Sequence, residues 1–222
     1  MLTTSLATVE VNPSTKPTAT VIWLHGFGSD GHDFESIIPQ LNLPANLPIR
    51  FIFPHAPFRN ISRMNGEPAR AWFDIYEAQQ VDVNGVKKSS FQVKDIIQQE
   101  IDSGIPANRI VLAGFSQGGA IALNTALLYR KPLAGILALS TFLPIKEHLG
   151  TKKSQCNAGI PILVCHGVQD EVIPLAMGKS GFDTLKAHKY NAKWREYDMA
   201  HCVCPQQIQD ISVWFQKVLA TN

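Results

Sequence analysis

No stretch of this chain approaches the ~20 consecutive apolar residues that a membrane-crossing helix requires. Its first thirteen residues also lack the basic-then-apolar pattern of a secretory leader. A surplus of one charge is missing as well: 20 Lys and Arg face 18 Asp and Glu, for a net charge of +2. The basic residues are scattered rather than striped, which argues against a nucleic-acid partner. The pairs Lys87-Lys88 and Lys152-Lys153 read as solvated surface. Cysteine is scarce, with Cys156, Cys165, Cys202 and Cys204 the only four. Cys165 lies in an apolar run and reads as inert core, and Cys202 and Cys204 are not spaced as zinc ligands. No metal or cofactor is expected, and a reduced, cytoplasmic protein fits this cysteine usage best. Repeats, low-complexity tracts and linker-like stretches are absent too. With 222 residues, 45% of them hydrophobic, the chain can bury a substantial core. A single domain over residues 1–222 is expected.

The most informative stretch runs from Arg109 to Ala122. Residues 110–113 are a short apolar run of the kind buried on both faces of a sheet. Gly114-Phe115-Ser116-Gln117-Gly118 then matches G-x-S-x-G, and Ala120, Ile121, Ala122, Leu123, Ala126 and Leu127 follow at helical spacing. Strand, sharp turn, helix is the context in which this motif forms a nucleophile elbow. Gly114 and Gly118 leave room for backbone to come close, and Gly119 lets the helix pack tightly. Ser116 then stands at a helix N-terminus, where partial positive charge and free N–H groups favour developing negative charge.

The rest of the chain alternates strands and helices. Strands are expected at the N-terminal edge within residues 2–11, and over 20–24, 49–53, 71–75, 133–140, 160–165 and 193–197. Helices are expected over about 33–41, capped by Ser29 or Asp30, and around Phe91, Ile96, Ile97 and Ile101, capped by Ser89 or Ser90 and ended by Gly104. Two more are expected, over about 177–188 and from Pro205, with Ile208, Ile211, Trp214, Phe215 and Val218 on one face. The pattern predicts an α/β fold with a mostly parallel sheet and helices on both faces. Residues 55–90 are the least regular, and loops of that length within a domain are usually functional.

A serine hydroxyl needs a base within hydrogen-bond reach, and the base needs a third group to fix its tautomer. In an open parallel sheet such groups gather beyond the carboxyl ends of the strands. Asp170 follows strand 160–165 by five residues, and His201 follows strand 193–197 by four. The order Ser116, Asp170, His201 is the one the α/β-hydrolase arrangement uses. His25 and His166 end strands before glycine and read as parts of those turns. His55 is held in reserve, and His32, His148 and His188 read as surface. Asp198 ranks behind Asp170 as the acid, and Asp74 reads as a loop brace. The oxyanion donors are read as the N–H groups of Gln117, next to the nucleophile, and Phe27, in the loop after an early strand. One such donor is worth ~3 kcal/mol of transition-state stabilisation.

With these residues in place, the chain resembles the acyl-protein thioesterase and carboxylesterase family, also described as phospholipase/carboxylesterase, within the α/β-hydrolases. The resemblance rests on Leu24-His25-Gly26-Phe27-Gly28, Arg70-Ala71-Trp72-Phe73-Asp74 and Gly104-Ile105-Pro106-Ala107-Asn108-Arg109-Ile110. It continues through the elbow, Leu139-Ser140 with Leu143-Pro144, and His166-Gly167 with Asp170 and Pro174. It implies the same triad and oxyanion donors, and cleavage of carboxylic esters and acyl thioesters, including acylated protein cysteines. Lysophospholipase action, and acyl-chain binding with an idle triad, stand as alternatives. The resemblance further implies an apolar acyl channel, roofed by about residues 58–76 and walled by Phe142, Leu143 and Val172. Trp72 and Phe73 are candidates for ligand contact or for core. Peripheral membrane contact through Phe58, Ile61 and Met64 is expected. Related proteins often pair as dimers, but no stretch here marks an interface. Where relatives often carry serine after the catalytic histidine, this chain has Cys202.

Overall fold

The computed structural model describes residues 5–76, 80–151 and 154–220. Lys152, Lys153, the side chain of His148 and the first residues of the predicted N-terminal edge strand lie outside the described residues.

The continuous apolar runs form the middle of the sheet. Strands β1 (Thr8–Val11), β2 (Ala19–Leu24) and β3 (Ile49–Pro54) precede a small two-stranded ribbon of β4 (Phe58–Asn60) and β5 (Pro68–Arg70). Helix α1 (Val83–Asp102) then leads to β6 (Ile110–Phe115) and α2 (Gln117–Leu127). After these come β7 (Gly135–Leu139), the short α3 (Glu147–Thr151), β8 (Pro161–Gly167), α4 (Leu175–Ala187), β9 (Asn191–Tyr197) and α5 (Pro205–Val218). The main sheet has the order β1-β3-β2-β6-β7-β8-β9, with β1 antiparallel to β3 and every other pair parallel.

Alternation along each strand divides the core. Ile22, Leu24, Ile110 and Leu112 face α1, α2 and α4, while Val21, Trp23, Val111 and Ala113 face α5. Each buried Leu, Ile or Val on these faces contributes about 1.5–3 kcal/mol. Every residue of α2 is buried, as suits a helix enclosed all round. The chain runs from β2 outward to β3, then returns to lay β6 on the other side of β2. The carboxyl ends of β2 and β6 therefore flank a switch point, where open α/β sheets bind ligands. Among the described residues no helix is long and apolar enough to cross a membrane.

Three expected elements differ. Residues 33–41 form no α-helix but two 3-10 turns, Glu35–Ile37 and Pro39–Leu41, the second closed by Asn42 in a left-handed conformation. Pro39 lacks an N–H and its ring blocks the preceding turn, so an α-helix cannot run through it. Helix α1 begins well before Ser89: Asp82 caps it by accepting from the Gly85 N–H at 2.8 Å. Ser89 and Ser90 instead lie buried inside the helix, bonded to the Trp72 carbonyl and the Asn124 amide. The strand expected over 71–75 is displaced to β5, with a single bridge from Ile75 to Val81 beyond it.

Candidate active site

Ser116 joins β6 to α2 with φ 53° and ψ −121°. A non-glycine residue in that region costs about 1–3 kcal/mol and persists only where its surroundings hold it. The holding contacts all fall on its backbone. Its N–H donates to the Leu139 carbonyl at 2.9 Å, and its own carbonyl accepts from Thr141 Oγ1 at 2.6 Å. A Cβ on Gly114 would collide with the backbone of Gly118, and one on Gly118 with the carbonyls of Leu24 and His25. These absent side chains let the elbow and the loop after β2 touch. Gln117 begins α2, and a first-turn N–H has no acceptor within the helix.

That loop is braced from beneath. His25 Nε2 accepts the Ala56 N–H at 3.0 Å, so the proton sits on Nδ1, which donates to the Gly26 carbonyl at 2.7 Å. The Trp72 indole N–H donates to the His25 carbonyl at 2.8 Å. The Gln117 side chain ties the same strut to the elbow. Its Oε1 accepts the Trp72 N–H at 2.7 Å and its Nε2 donates to the Phe73 carbonyl at 2.8 Å. Gly28 N–H donates to the Arg70 carbonyl at 2.9 Å, leaving the Phe27 N–H without a partner among the described residues. Phe27 and Gln117, the two expected oxyanion donors, thus meet at the rim of one cavity.

Burial lowers the pKa of His25 from 6.5 to about 4. Between those values the unfolded chain binds a proton that the folded chain refuses. Stability is therefore complete above pH 6.5, and acidification toward pH 4 removes up to roughly 3 kcal/mol of it. Urea titrations at several pH values are expected to show this loss in the parent. In His25→Gln the slope over the same window is expected to be markedly smaller.

The acid and base come from the other end of the chain. Asp170 is buried, and its Oδ2 lies 2.7 Å from His201 Nδ1. Its Oδ1 accepts the N–H groups of Val172 and Ile173 at 3.0 and 2.8 Å, which fixes the carboxylate plane. His166 braces the same turn: its Nε2 is 2.8 Å from the Ile173 carbonyl and 3.5 Å from Asp170 Oδ2, and its ring stacks on Trp194. The His201 ring packs on Phe115, the residue before Ser116, at 4.6 Å between centroids. The imidazole therefore stands at the elbow with its Nδ1 side engaged. Asp198 is exposed and accepts from Gln169 instead.

Gly167 lets the His201 loop descend onto β8, since a Cβ there would meet the carbonyls of Met199 and Ala200. Gly167→Ala is expected to displace that loop and lower kcat by about 100-fold, as misplacements near 1 Å do. Ester turnover together with a thermal melt checks this, because the loss in rate should outlast any loss in fold.

Two cavities flank the elbow, one lined by Phe115 and the other by Ser116. The larger, about 1470 Å³, is lined by Ser116, Gln117, Phe27, Phe73, Phe142, Leu143 and Val172, with Ile61, Met64 and Tyr76 from the irregular segment. The smaller, about 460 Å³, is lined by Phe115, His201, Cys202 and residues of the 33–40 and 203–208 segments. Of the two readings of Trp72, ligand contact or core, the structure places it in the core: it is fully buried and spends its indole N–H on the His25 carbonyl. Ile61 differs from the membrane contact expected of it. It is fully buried, while Phe58 and Met64 are exposed, and Phe58 carries the Arg70 guanidinium 4.5 Å above its ring. His55 accepts the Gly31 N–H at 3.1 Å, and Asp74 accepts from Ser62 and Ile75, so both brace loops. All four cysteines are free, and burial pushes the Cys165 thiol up to about 12. Among the described residues no three His, Cys, Asp or Glu side chains gather as metal ligands. The bracing role of Gln117 was missed in the sequence, whereas His166 braces the turn it was read into. A long polar side chain heading an otherwise apolar helix is the signal that points to Gln117.

A family model described as Phospholipase/Carboxylesterase matches residues 6–219. An acyl-protein thioesterase 1 from Cryptococcus neoformans is 34% identical over 238 residues, covering 97% of this chain and 99% of the relative. One from Gibberella zeae is 36% identical over 214 residues, covering 91% of each. Among solved structures, acyl-protein thioesterase 2 from Zea mays superposes with a TM-score of 0.85 at 29% identity, covering 96% of this chain and 99% of its own. SOBER1 from Arabidopsis thaliana superposes with a TM-score of 0.85 at 28% identity, covering 90% of this chain and 99% of its own.

Proposed function

The chain belongs to the phospholipase/carboxylesterase family of α/β-hydrolases, and we propose that it is a serine hydrolase in which Ser116 is the nucleophile, His201 the base and Asp170 the orienting acid. One observation carries this reading. A serine held at positive φ on a helix N-terminus shares the sheet's carboxyl edge with an imidazole already bonded to a buried carboxylate. Ser116 Oγ attacks the acyl carbon and His201 Nε2 takes its proton. The developing oxyanion meets the N–H groups of Phe27 and Gln117. The tetrahedral adduct then collapses, and the leaving oxygen or sulfur departs with the proton from His201. Water repeats the sequence on the acyl-enzyme, releasing the acid and restoring Ser116. Asp170 keeps the Nδ1–H tautomer and steadies the imidazolium that forms twice in each cycle.

The substrates proposed are carboxylic esters and acyl thioesters, the second in keeping with the printed names of the relatives. Phe73, Phe142, Leu143 and Val172 are proposed to hold the acyl chain, with residues 58–76 as its roof. The chain is proposed to act as one domain. Four free thiols suit a reducing compartment, and we place the protein in the cytoplasm. Exposed Phe58 and Met64 support a peripheral membrane contact.

A series of p-nitrophenyl esters and matched S-acyl thiols tests the reading. Both bond types are expected to turn over, with kcat/KM rising about tenfold or more from acetyl to octanoyl as apolar surface is buried. Failure to cleave any member of either series would overturn it.

A further inference from the structure

The oxyanion donors Phe27 and Gln117 sit on segments far apart in sequence, and acyl transfer depends on holding both at one oxygen. Resting on the serine-hydrolase reading, the geometry points to the Gln117 side chain as the positioning residue that sets the two donors relative to each other. It ties the elbow to the backbone of residues 70–73, which holds the Phe27 loop on both sides.

Residues 70–73 form a bar between the two donors. The Arg70 carbonyl accepts the Gly28 N–H at 2.9 Å, and the Trp72 indole N–H donates to the His25 carbonyl at 2.8 Å. Phe27 lies between those two attachments. The Trp72 N–H and the Phe73 carbonyl face the elbow, and each meets one atom of the Gln117 amide, at 2.7 and 2.8 Å. The bar is itself anchored. Ala71 donates its N–H to the Pro57 carbonyl at 3.1 Å, and its carbonyl accepts from Arg59 Nε at 2.9 Å. The Trp72 carbonyl accepts from Ser89 Oγ on α1. The bar is thus a fixed reference, and one side chain sets the elbow against it.

The bar presents one donor and one acceptor to the elbow, and an amide on two methylenes satisfies both without a charge. Gln117, Trp72 and Phe73 are all buried, so each bond is stronger than it would be at the surface. The links run in series: the Gln117 amide to the Trp72 and Phe73 backbone, and the Trp72 indole to His25. Cutting either link frees the two donors from each other. The bound ester presents a neutral carbonyl, whereas the tetrahedral state presents an anion that needs both donors at once. The loss is therefore expected in kcat rather than in KM.

Three variants test this. Gln117→Met keeps the side chain's length and removes the amide. Gln117→Glu keeps an acceptor for Trp72 and sets a second oxygen where the Phe73 carbonyl needs a donor. Trp72→Phe removes the indole N–H and keeps an aromatic ring. On p-nitrophenyl octanoate, Gln117→Met is expected to lower kcat by about 100-fold and the other two by about tenfold, with KM changed by less than about threefold. Trifluoromethyl octyl ketone reads the tetrahedral state: Ser116 Oγ adds to its carbonyl carbon, the C=O π pair moves onto oxygen, and His201 takes the serine proton. Its affinity is expected to fall in each variant about as far as kcat/KM, while that of methyl octyl ketone, which binds without adding, stays within about threefold. Gln117→Met combined with Trp72→Phe is expected to lose no more than Gln117→Met alone, whereas independent contacts would multiply. Urea titrations establish which variants fold; if Gln117→Met does not, Gln117→Glu and Trp72→Phe carry the same comparison. Parental kcat and trifluoromethyl ketone affinity in the folded variants, equal weakening of both ketones, or multiplied losses in the double variant overturn the positioning role alone. A parent that neither cleaves the ester nor binds the trifluoromethyl ketone more tightly than the methyl ketone overturns the hydrolase reading, and this proposal with it.

Discussion

Ser116→Ala is expected to lower ester turnover by about 10⁴- to 10⁶-fold while leaving the fold in place, because removing a triad nucleophile leaves only binding and oxyanion stabilisation. The size of the effect follows from the chemistry: no other group at the elbow carries a hydroxyl to the acyl carbon. The harmlessness to folding follows from the contacts. The bonds from Leu139 and Thr141 fall on the Ser116 backbone, and alanine keeps the Cβ that already faces the strain of a positive φ. The stability change is therefore expected to stay within about 1 kcal/mol. Steady-state kinetics on p-nitrophenyl octanoate, paired with a urea titration, checks both halves. Near-parental turnover by a folded variant would remove Ser116 from the mechanism.

The second large effect separates two acids. Asp170→Asn is expected to lower kcat by about 10⁴-fold, since an amide presents a donor where His201 Nδ1–H needs an acceptor and so stabilises the wrong tautomer. Asparagine can still accept the N–H groups of Val172 and Ile173 through its remaining oxygen, so the turn after β8 is expected to survive. Asp198→Asn, at an exposed position where the carboxylate accepts from Gln169, is expected to change kcat by less than about threefold. Equal losses in the two variants would assign the orienting role wrongly.

The parts of the fold legible in the sequence were those set by local rules. Runs such as Ile110–Phe115 have no polar face to spare, so they read as buried parallel strands. Pro205 at the start of α5 and Gly104 with φ 100° after α1 marked helix ends by backbone restriction alone. The candidate site was legible for the same reason: Ser116, Asp170 and His201 each follow a recognisable strand, and parallel strands bring their carboxyl ends together.

What escaped depends on partners distant in sequence. The start of α1 was hidden because Gly85 reads as a loop residue, yet it is required there: a Cβ would meet the Asp82 carboxylate and Phe73. Trp72 was open between channel wall and core, and what decides it is an indole acceptor on His25, 47 residues away. Ile61 was grouped with Phe58 and Met64 as a membrane contact, but its side chain is fully buried. In each case a tertiary contact outweighed the local pattern.

Covalent modification of Ser116 is read by peptide mapping with mass spectrometry after treatment with a fluorophosphonate. One phosphonyl adduct per chain is expected, on Ser116, with ester turnover lost in proportion to labelling and labelling strongly slowed in Asp170→Asn. An active protein that takes no adduct, or takes it elsewhere with Ser116 unmodified as activity disappears, would contradict it.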